Sequence, residues 1–174
     1  MRFRGPACLD LEDGGRQLVV ALAATAPPTD DTIMVAILPG GAPVARVVRE
    51  TYNLDLLAAR VDKGDTGISV DIVGISDLRP LAGRRLLVID DGVESGRAAR
   101  AVLDCLRYAE PAHLTFAVPI CPAAATHELL HFADQLVAPH RPATARPLAA
   151  EYGHFAPPAD AAAALALLDG LGLS

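Results

Sequence analysis

The feature that most constrains this chain is a repeated alternation. A short apolar run ends at a turn rich in glycine, proline or aspartate, and a stretch with helical spacing follows. Residues 33–38 form such a run, stop at Pro39-Gly40-Gly41, and lead into 43–52, where Val44, Val47 and Val48 share one helical face. Residues 56–61 are a second strand candidate. Residues 85–89 are the strongest, followed by a predicted helix over 95–108 with Ala99, Val102, Leu103 and Leu106 turned inward. A strand over 113–120, a helix over 123–132 and a short strand over 135–138 complete the series. A helix over 9–25, weakened at its start by Gly14-Gly15, precedes it. After it come a proline-rich irregular stretch over 139–158 and an Ala-rich helix over 159–171. Strands that are apolar throughout and alternate with helices predict an α/β fold: one mainly parallel central sheet flanked by helices. The 174 residues suit a single domain over 1–174. Residues 62–78 stand apart. They are polar and glycine-bearing, and the alternation Ile68-Ser69-Val70-Asp71-Ile72 reads as a half-exposed strand in a small excursion.

In a parallel sheet, ligands sit beyond the carboxyl ends of the strands. Two turns at those ends carry chemistry. In Asp90-Asp91-Gly92-Val93-Glu94-Ser95-Gly96-Arg97-Ala98, the glycines allow close approach of backbone to ligand. The N–H groups opening the next helix favour an anion. Ser95 adds a hydroxyl and Arg97 a fork suited to phosphate. Asp90 and Asp91 suit ribose hydroxyls or a hydrated magnesium ion. An acidic end beside an anion-binding end matches a phosphorylated sugar, whereas an ordinary capped strand-turn-helix junction would need only the aspartate.

These residues carry a resemblance. Leu86-Leu87-Val88-Ile89-Asp90-Asp91-Gly92-Val93-Glu94-Ser95-Gly96 resembles the phosphoribosyl pyrophosphate motif of type I phosphoribosyltransferases. Leu38-Pro39-Gly40-Gly41-Ala42-Pro43 resembles that family's pyrophosphate loop, and residues 62–78 fall where the family has its hood loop. The resemblance implies the type I fold and a Mg2+-dependent transfer from phosphoribosyl pyrophosphate, in nucleotide or nucleobase metabolism. It implies that Asp90 and Asp91 face the ribose and hold magnesium, that Gly92, Val93, Glu94, Ser95, Gly96, Arg97 and Ala98 wrap the 5′-phosphate, and that Gly40 and Gly41 meet pyrophosphate. Glu94 and Asp91 are the implied catalytic carboxylates, Glu94 by stabilising positive charge on the ribose ring or accepting a proton. The chain departs from the family pattern in several places. No Arg or Lys stands between Pro39 and Gly40, Ser95 replaces the commoner Thr, Ala98 replaces a second hydroxyl, and Glu94 is larger than usual. The missing basic residue keeps a second reading open: a non-catalytic module that binds a nucleotide or sugar phosphate. The implied ligands are phosphoribosyl pyrophosphate or a nucleoside monophosphate. The acceptor is not encoded in any readable pattern, and a homodimer is an open possibility. Tyr152 and Phe155 are candidates, by position alone, to stack on a base, or else they pack over the sheet edge.

Composition excludes other classes. The formal net charge of −6 argues against nucleic acid as the partner. No apolar run reaches membrane-spanning length, and the start of the chain lacks a signal-peptide core, so a cytoplasmic protein is expected. Cys8, Cys105 and Cys121 are odd in number and widely spaced, which suits buried thiols and not a disulfide framework. One motif competes. His127-Glu128-Leu129-Leu130-His131 matches HExxH, with Glu151 as a distant third ligand for zinc and a hydrolase as its implied activity. Asp134 stands where a metzincin extension needs Gly, and Pro139, Pro142 and Pro147 interrupt the path to Glu151. A pair of surface histidines flanking a glutamate is the simpler expectation.

Overall fold

The computed structural model describes residues 5–65 and 67–173. In chain order the elements are α1 (Leu11–Thr25), β1 (Thr32–Ile37), α2 (Gly41–Tyr52), β2 (Asp55–Gly64), β3 (Gly67–Val73), β4 (Arg85–Ile89), α3 (Arg97–Arg107), β5 (His113–Ala117), α4 (Ala123–Leu129), β6 (Gln135–Val137) and α5 (Ala161–Leu167). Short 3-10 turns occupy Arg79–Leu81 and Leu148–Ala150. The strands form one sheet in the order β3-β2-β1-β4-β5-β6. All neighbours are parallel except β2 and β3, which form an antiparallel hairpin.

The parallel strands are buried on both faces, and their alternate residues feed two apolar layers. Met34, Ala36, Leu56, Leu87 and Ile89 pack with Leu18 and Leu22 of α1 and Val44 and Val48 of α2. Ile33, Val35, Leu57, Val88 and Phe116 pack with Val102, Leu103 and Leu106 of α3. Phe116 is the largest fully buried side chain, so aliphatic residues carry most of the core.

Gly14 and Gly15, read as a weakness of α1, have a packing reason. A Cβ on Gly15 would lie 2.9 Å from Val47 Cβ, and one on Gly14 would lie 3.0 Å from Pro119 Cγ. The absent side chains let α1 approach α2 and the loop after β5. Residues 62–78 carry the expected half-exposed strand as β3, which pairs with the extended end of β2 and forms the outer edge of the sheet. β3 alternates between exposed and partly covered residues, as expected of an edge with one solvated face. Among the described residues no helix is long and apolar enough to cross a membrane.

The connections set the site. From β1 the chain winds outward through α2 to β2 and β3; from β4 it winds the other way through α3 to β5. β1 and β4 are neighbours, so their carboxyl ends flank the crevice where strand order reverses. Ligands of open α/β sheets bind at that point.

Candidate active site

β1 ends at Ile37 and β4 at Ile89, so the turns after them are adjacent. After β1 the chain passes a cis Leu38–Pro39 peptide and enters α2 at Gly41. Gly40 and Gly41 are both buried. A Cβ on Gly41 would lie 2.7 Å from the Ile89 carbonyl oxygen and 3.1 Å from Asp90 Cα, and Gly40 lies directly against the Asp91 carboxylate. The two glycines therefore join the two turns, and side chains at either position would force the turns apart.

Asp91 is 8% exposed and Asp90 is half-buried. The Asp91 N–H donates to Asp90 Oδ1 at 2.9 Å. Burial is the main cause that raises both carboxyls above the usual range; the Asp91 charge also raises Asp90, well above its ordinary value, and Asp91 is pushed up to about 6, with Glu94 adding to the effect. Among the described residues no Lys, Arg or His forms an ion pair with either aspartate. The pair is thus uncompensated negative charge in a crevice.

The loop to α3 turns on two glycines with positive φ: Gly92 at +152° and Gly96 at +69°. Gly96 is the N-cap of α3 and offers no side-chain cap, so the first N–H groups of the helix are left for another partner. Helix α3 therefore begins at Arg97, two residues later than the spacing predicts. Among the described residues the N–H groups of Glu94, Ser95 and Gly96 have no hydrogen-bond partner. Ser95 is exposed, and its Oγ accepts a long bond, 3.5 Å, from the Arg97 N–H. Ala98 is partly covered in the first turn of α3.

Three expected contributors have further contacts. Val93 is 2% exposed, its side chain joins the core, and its N–H donates to the Ile120 carbonyl at 2.9 Å, so it gives the loop's open face neither group. Arg97 is exposed and lines a shallow groove with Ile68 of β3 and Arg100 and Asp104 of α3. Glu94 Oε1 accepts from the Leu148 N–H at 2.6 Å, which commits one of its oxygens to the later irregular segment.

That segment is the part sequence reasoning missed. The Tyr152 hydroxyl donates to the Asp91 carbonyl at 2.5 Å. Tyr152 is 4% exposed and stacks obliquely on Phe155, with ring centroids 5.4 Å apart. Tyr152 is core and Phe155 is a partly buried ring packed against the same apolar layer, so Tyr152 is not free to hold a base. The Ala7 and Cys8 N–H groups donate to the Glu151 carbonyl, at 2.7 and 3.2 Å, which fastens the start of the chain to the same segment. Burial pushes the Cys8 thiol up to about 12, and all three cysteines are free.

In the HExxH segment the two histidine rings meet edge to face, centroids 5.4 Å apart, but the carboxylates are engaged elsewhere. α4 ends at Leu129, so His131 lies beyond it, with Nδ1 3.0 and 3.1 Å from the His127 and Glu128 carbonyls. Glu128 faces Arg100 at 3.7 Å, and Glu151 is held by Arg146 at 2.8 Å. No cluster of three or more His, Cys, Asp or Glu able to hold a metal exists among the described residues.

Comparison with known proteins decides the family. The family model described as "Phosphoribosyl transferase domain" matches residues 11–137, which span both marked turns and all six strands described above. The chain belongs to the phosphoribosyl transferase domain family. Solved structures agree in fold. The protein TT1426 of Thermus thermophilus is 22% identical, with a TM-score of 0.75, and the match covers 99% of this chain and 100% of that one. The adenine phosphoribosyltransferase of Rhodothermus marinus is 16% identical, with a TM-score of 0.55, covering 71% of this chain and 76% of its own. The orotate phosphoribosyltransferase of Aeropyrum pernix is 18% identical, with a TM-score of 0.56, covering 72% and 67%. The mainly parallel sheet flanked by helices is the type I phosphoribosyltransferase fold. In the crevice between β1 and β4, Gly40, Gly41, Asp90 and Asp91 come together.

Proposed function

We propose that the chain transfers a phosphoribosyl group from phosphoribosyl pyrophosphate to an acceptor, with magnesium. The observation that carries this reading is the buried, unpaired Asp90–Asp91 pair set beside the open N–H groups before α3, at the point where strand order reverses. The N–H groups of Glu94, Ser95 and Gly96, with the Ser95 hydroxyl and the start of α3, hold the 5′-phosphate. Asp90 and Asp91 accept hydrogen bonds from the ribose hydroxyls. Glu94 keeps one carboxylate oxygen for the ring carbon as positive charge develops there, and its other oxygen anchors the loop to Leu148. Gly40 and Gly41 let pyrophosphate approach the backbone at the start of α2.

The residues fit magnesium. Two adjacent carboxylates, raised mainly by burial, with Asp91 adding to Asp90 and Glu94 to Asp91, and lacking any basic partner, gain from a divalent cation. With no group of three such ligands among the described residues, the remaining positions suit substrate oxygens and water, the usual arrangement for this ion. Asp90 and Asp91 would hold it, and it would neutralise the departing pyrophosphate. Because no Arg or Lys stands between Pro39 and Gly40, this chain depends on the cation more than a loop with its own basic residue would.

The same absence supports a second reading, a sugar-phosphate or nucleotide binding module without turnover. A protein of Neisseria gonorrhoeae whose structure contains bound ppGpp is 16% identical, with a TM-score of 0.50, covering 90% of this chain and 86% of its own. The reducing environment that three free thiols suit is the cytoplasm.

Calorimetry with phosphoribosyl pyrophosphate, with and without magnesium, tests the main reading. Binding should require magnesium, and Asp91→Asn should weaken it by about 1–3 kcal/mol, the scale of a lost hydrogen bond to a charged group. Magnesium-dependent binding without pyrophosphate release in the presence of candidate acceptors favours the module. No binding in either condition removes the transfer reading, and absence of nucleoside monophosphate binding as well removes the module.

A further inference from the structure

Away from the crevice, basic side chains converge at one place. Beyond β6 the chain passes Pro139, His140 and Arg141, which with Ala7, Arg146 and Glu151 line an open cleft of about 450 Å3. That volume suits a single-ring ligand or a small phosphate ester. Each basic group is fixed along one edge by the protein. Arg141 Nη2 donates to the Leu136 carbonyl at 3.0 Å and Nε to the Ala138 carbonyl at 3.4 Å. Arg146 Nε donates to Glu151 Oε1 at 2.8 Å. The His140 ring Nε2 meets Gln17 Oε1, and the same Gln17 amide donates to Asp13 Oδ2 at 2.9 Å. Among the described residues, Arg141 Nη1 and both terminal nitrogens of Arg146 have no partner.

Glu151 is the one carboxylate lining the cleft. Its side chain is 5% exposed and its charge is met by Arg146, so it does not cancel Arg141. The chain carries a formal net charge of −6, yet this cleft has a positive surplus. Guanidinium forks held in place lose little freedom on binding, and their geometry matches carboxylate and phosphate.

We propose that this cleft is a binding site for a small anion, a carboxylate or a phosphate, gripped by the free edges of Arg141 and Arg146. The cleft opens at the carboxyl end of β6, on the same side of the sheet as Asp90 and Asp91. β6 lies two strands from β4, roughly 10 Å across the sheet. Two sources share this chemistry. One is an acidic group on the phosphoribosyl acceptor, which rests on the transfer reading above. The other is a separate phosphate-bearing effector, which does not.

The test follows the Arg141 and Arg146 side-chain Nε–Hε signals of the full 15N-labelled chain by NMR, without magnesium. The probes are inorganic phosphate and benzoate. Both signals should shift together and saturate with at least one probe. Arg141→Gln should weaken that binding about tenfold or more. So should the paired change Arg146→Gln with Glu151→Gln, which avoids stranding a buried charge. Melting is measured for each variant, and whichever variant folds decides. Preference for benzoate assigns the cleft to a flat acidic acceptor; preference for phosphate assigns it to a phosphate-bearing ligand. Shifts that never saturate with either probe, or unchanged affinity in the folded variants, overturn the proposal. Asp91→Asn should leave these shifts intact, so failure of phosphoribosyl pyrophosphate to bind in the crevice would not imitate failure of the cleft.

Discussion

The carboxylate of Asp91 fills the space that a side chain at Gly40 would need: a Cβ built on Gly40 falls 2.1 Å from Asp91 Oδ2 and 2.5 Å from its Cγ. The two residues lie in different turns, and their contact joins the turns after β1 and β4 into one crevice. Gly40→Ala must therefore move the carboxylate, the turn or both. Overpacking of this kind costs about 1–3 kcal/mol. We expect that loss in urea unfolding, together with loss of magnesium-dependent phosphoribosyl pyrophosphate binding by about tenfold or more. A stable Gly40→Ala protein that binds as the unmutated chain does would show that the contact does not shape the site.

The acidic pair makes stability depend on pH in an unusual direction. An ordinary Asp ionises near pH ~4 in the unfolded chain. In the fold Asp91 is pushed up to about 6, and Asp90 is also raised. Between those values the folded state holds more protons than the unfolded state, so stability should fall as pH rises from about 4 to about 6. Aspartates lowered in the fold, such as Asp77 and Asp13, act in the opposite sense at lower pH. The informative quantity is therefore the difference between the unmutated chain and Asp91→Asn in unfolding midpoints across that window. The variant should gain stability relative to the unmutated chain as pH rises, and magnesium should shrink the gap. A gap independent of pH would mean that the carboxyls are not raised by their surroundings.

Gly96 tests the phosphate loop, with a complication that its backbone supplies. Its φ of +69° is one that a branched residue strongly resists, although the nearest side-chain atoms, of Leu129 and Val93, leave ordinary contact distances of 3.8 Å. Gly96→Val should therefore unfold at lower denaturant by about 1–3 kcal/mol through backbone strain and not through a clash. Ser95→Ala is the cleaner probe of the ligand, because Ser95 is exposed and outside the core. The unmutated chain should bind a nucleoside monophosphate in preference to its nucleoside, and Ser95→Ala should reduce that preference about fivefold or more at unchanged melting temperature. Equal binding of nucleotide and nucleoside in the unmutated chain would remove the phosphate site.

Much of this architecture is legible in the sequence, for local reasons. The run over β4 is bounded by Arg84-Arg85 before it and Asp90-Asp91 after it, so its limits fall as the pattern predicts. α1 starts at Leu11 and not at residue 9 because the Asp10 side chain accepts from the Asp13 N–H and caps the helix there. α3 starts late because Gly96 turns left-handed. The unread part is long-range. Tyr152 reaches the Asp91 carbonyl across 61 residues, and Leu148 reaches Glu94 across 54. Neither contact has a periodic or motif signal, and in the sequence the proline-rich stretch that carries them offers only Tyr152 and Phe155 as candidates by position. Hydrogen bonds from that stretch to the site are a property of the folded chain alone.

The HExxH match yields a plain measurement. His131 lies past the end of α4, Glu128 faces Arg100, and Glu151 is occupied by Arg146. Protein purified without chelator should contain far less than one zinc per chain by elemental analysis. Stoichiometric zinc that disappears in His131→Ala would restore the hydrolase reading.

Glu94 separates anchoring from chemistry. Its Oε1 accepts from the Leu148 N–H at 2.6 Å, a contact that fastens the loop before α3 to the segment carrying Tyr152. Glu94→Gln keeps a carbonyl oxygen for that bond and removes the charge. Glu94→Ala removes both and leaves the Leu148 N–H without its acceptor. If the residue serves as anchor and as stabiliser of ring charge, the two variants should differ. Glu94→Ala should lose about 1–3 kcal/mol of stability, the cost of a stranded donor in a part-buried site. Glu94→Gln should melt within a degree or two of the unmutated chain, since Glu94 also repels Asp91 and loss of its charge offsets part of the weaker bond. Turnover should fall in both, and in Glu94→Gln the fall should lie in kcat and not in KM, because charge develops on the ring only as pyrophosphate leaves. Unchanged kcat in Glu94→Gln, with instability confined to Glu94→Ala, would leave Glu94 as an anchor alone and place the ring-stabilising charge on Asp90 and Asp91.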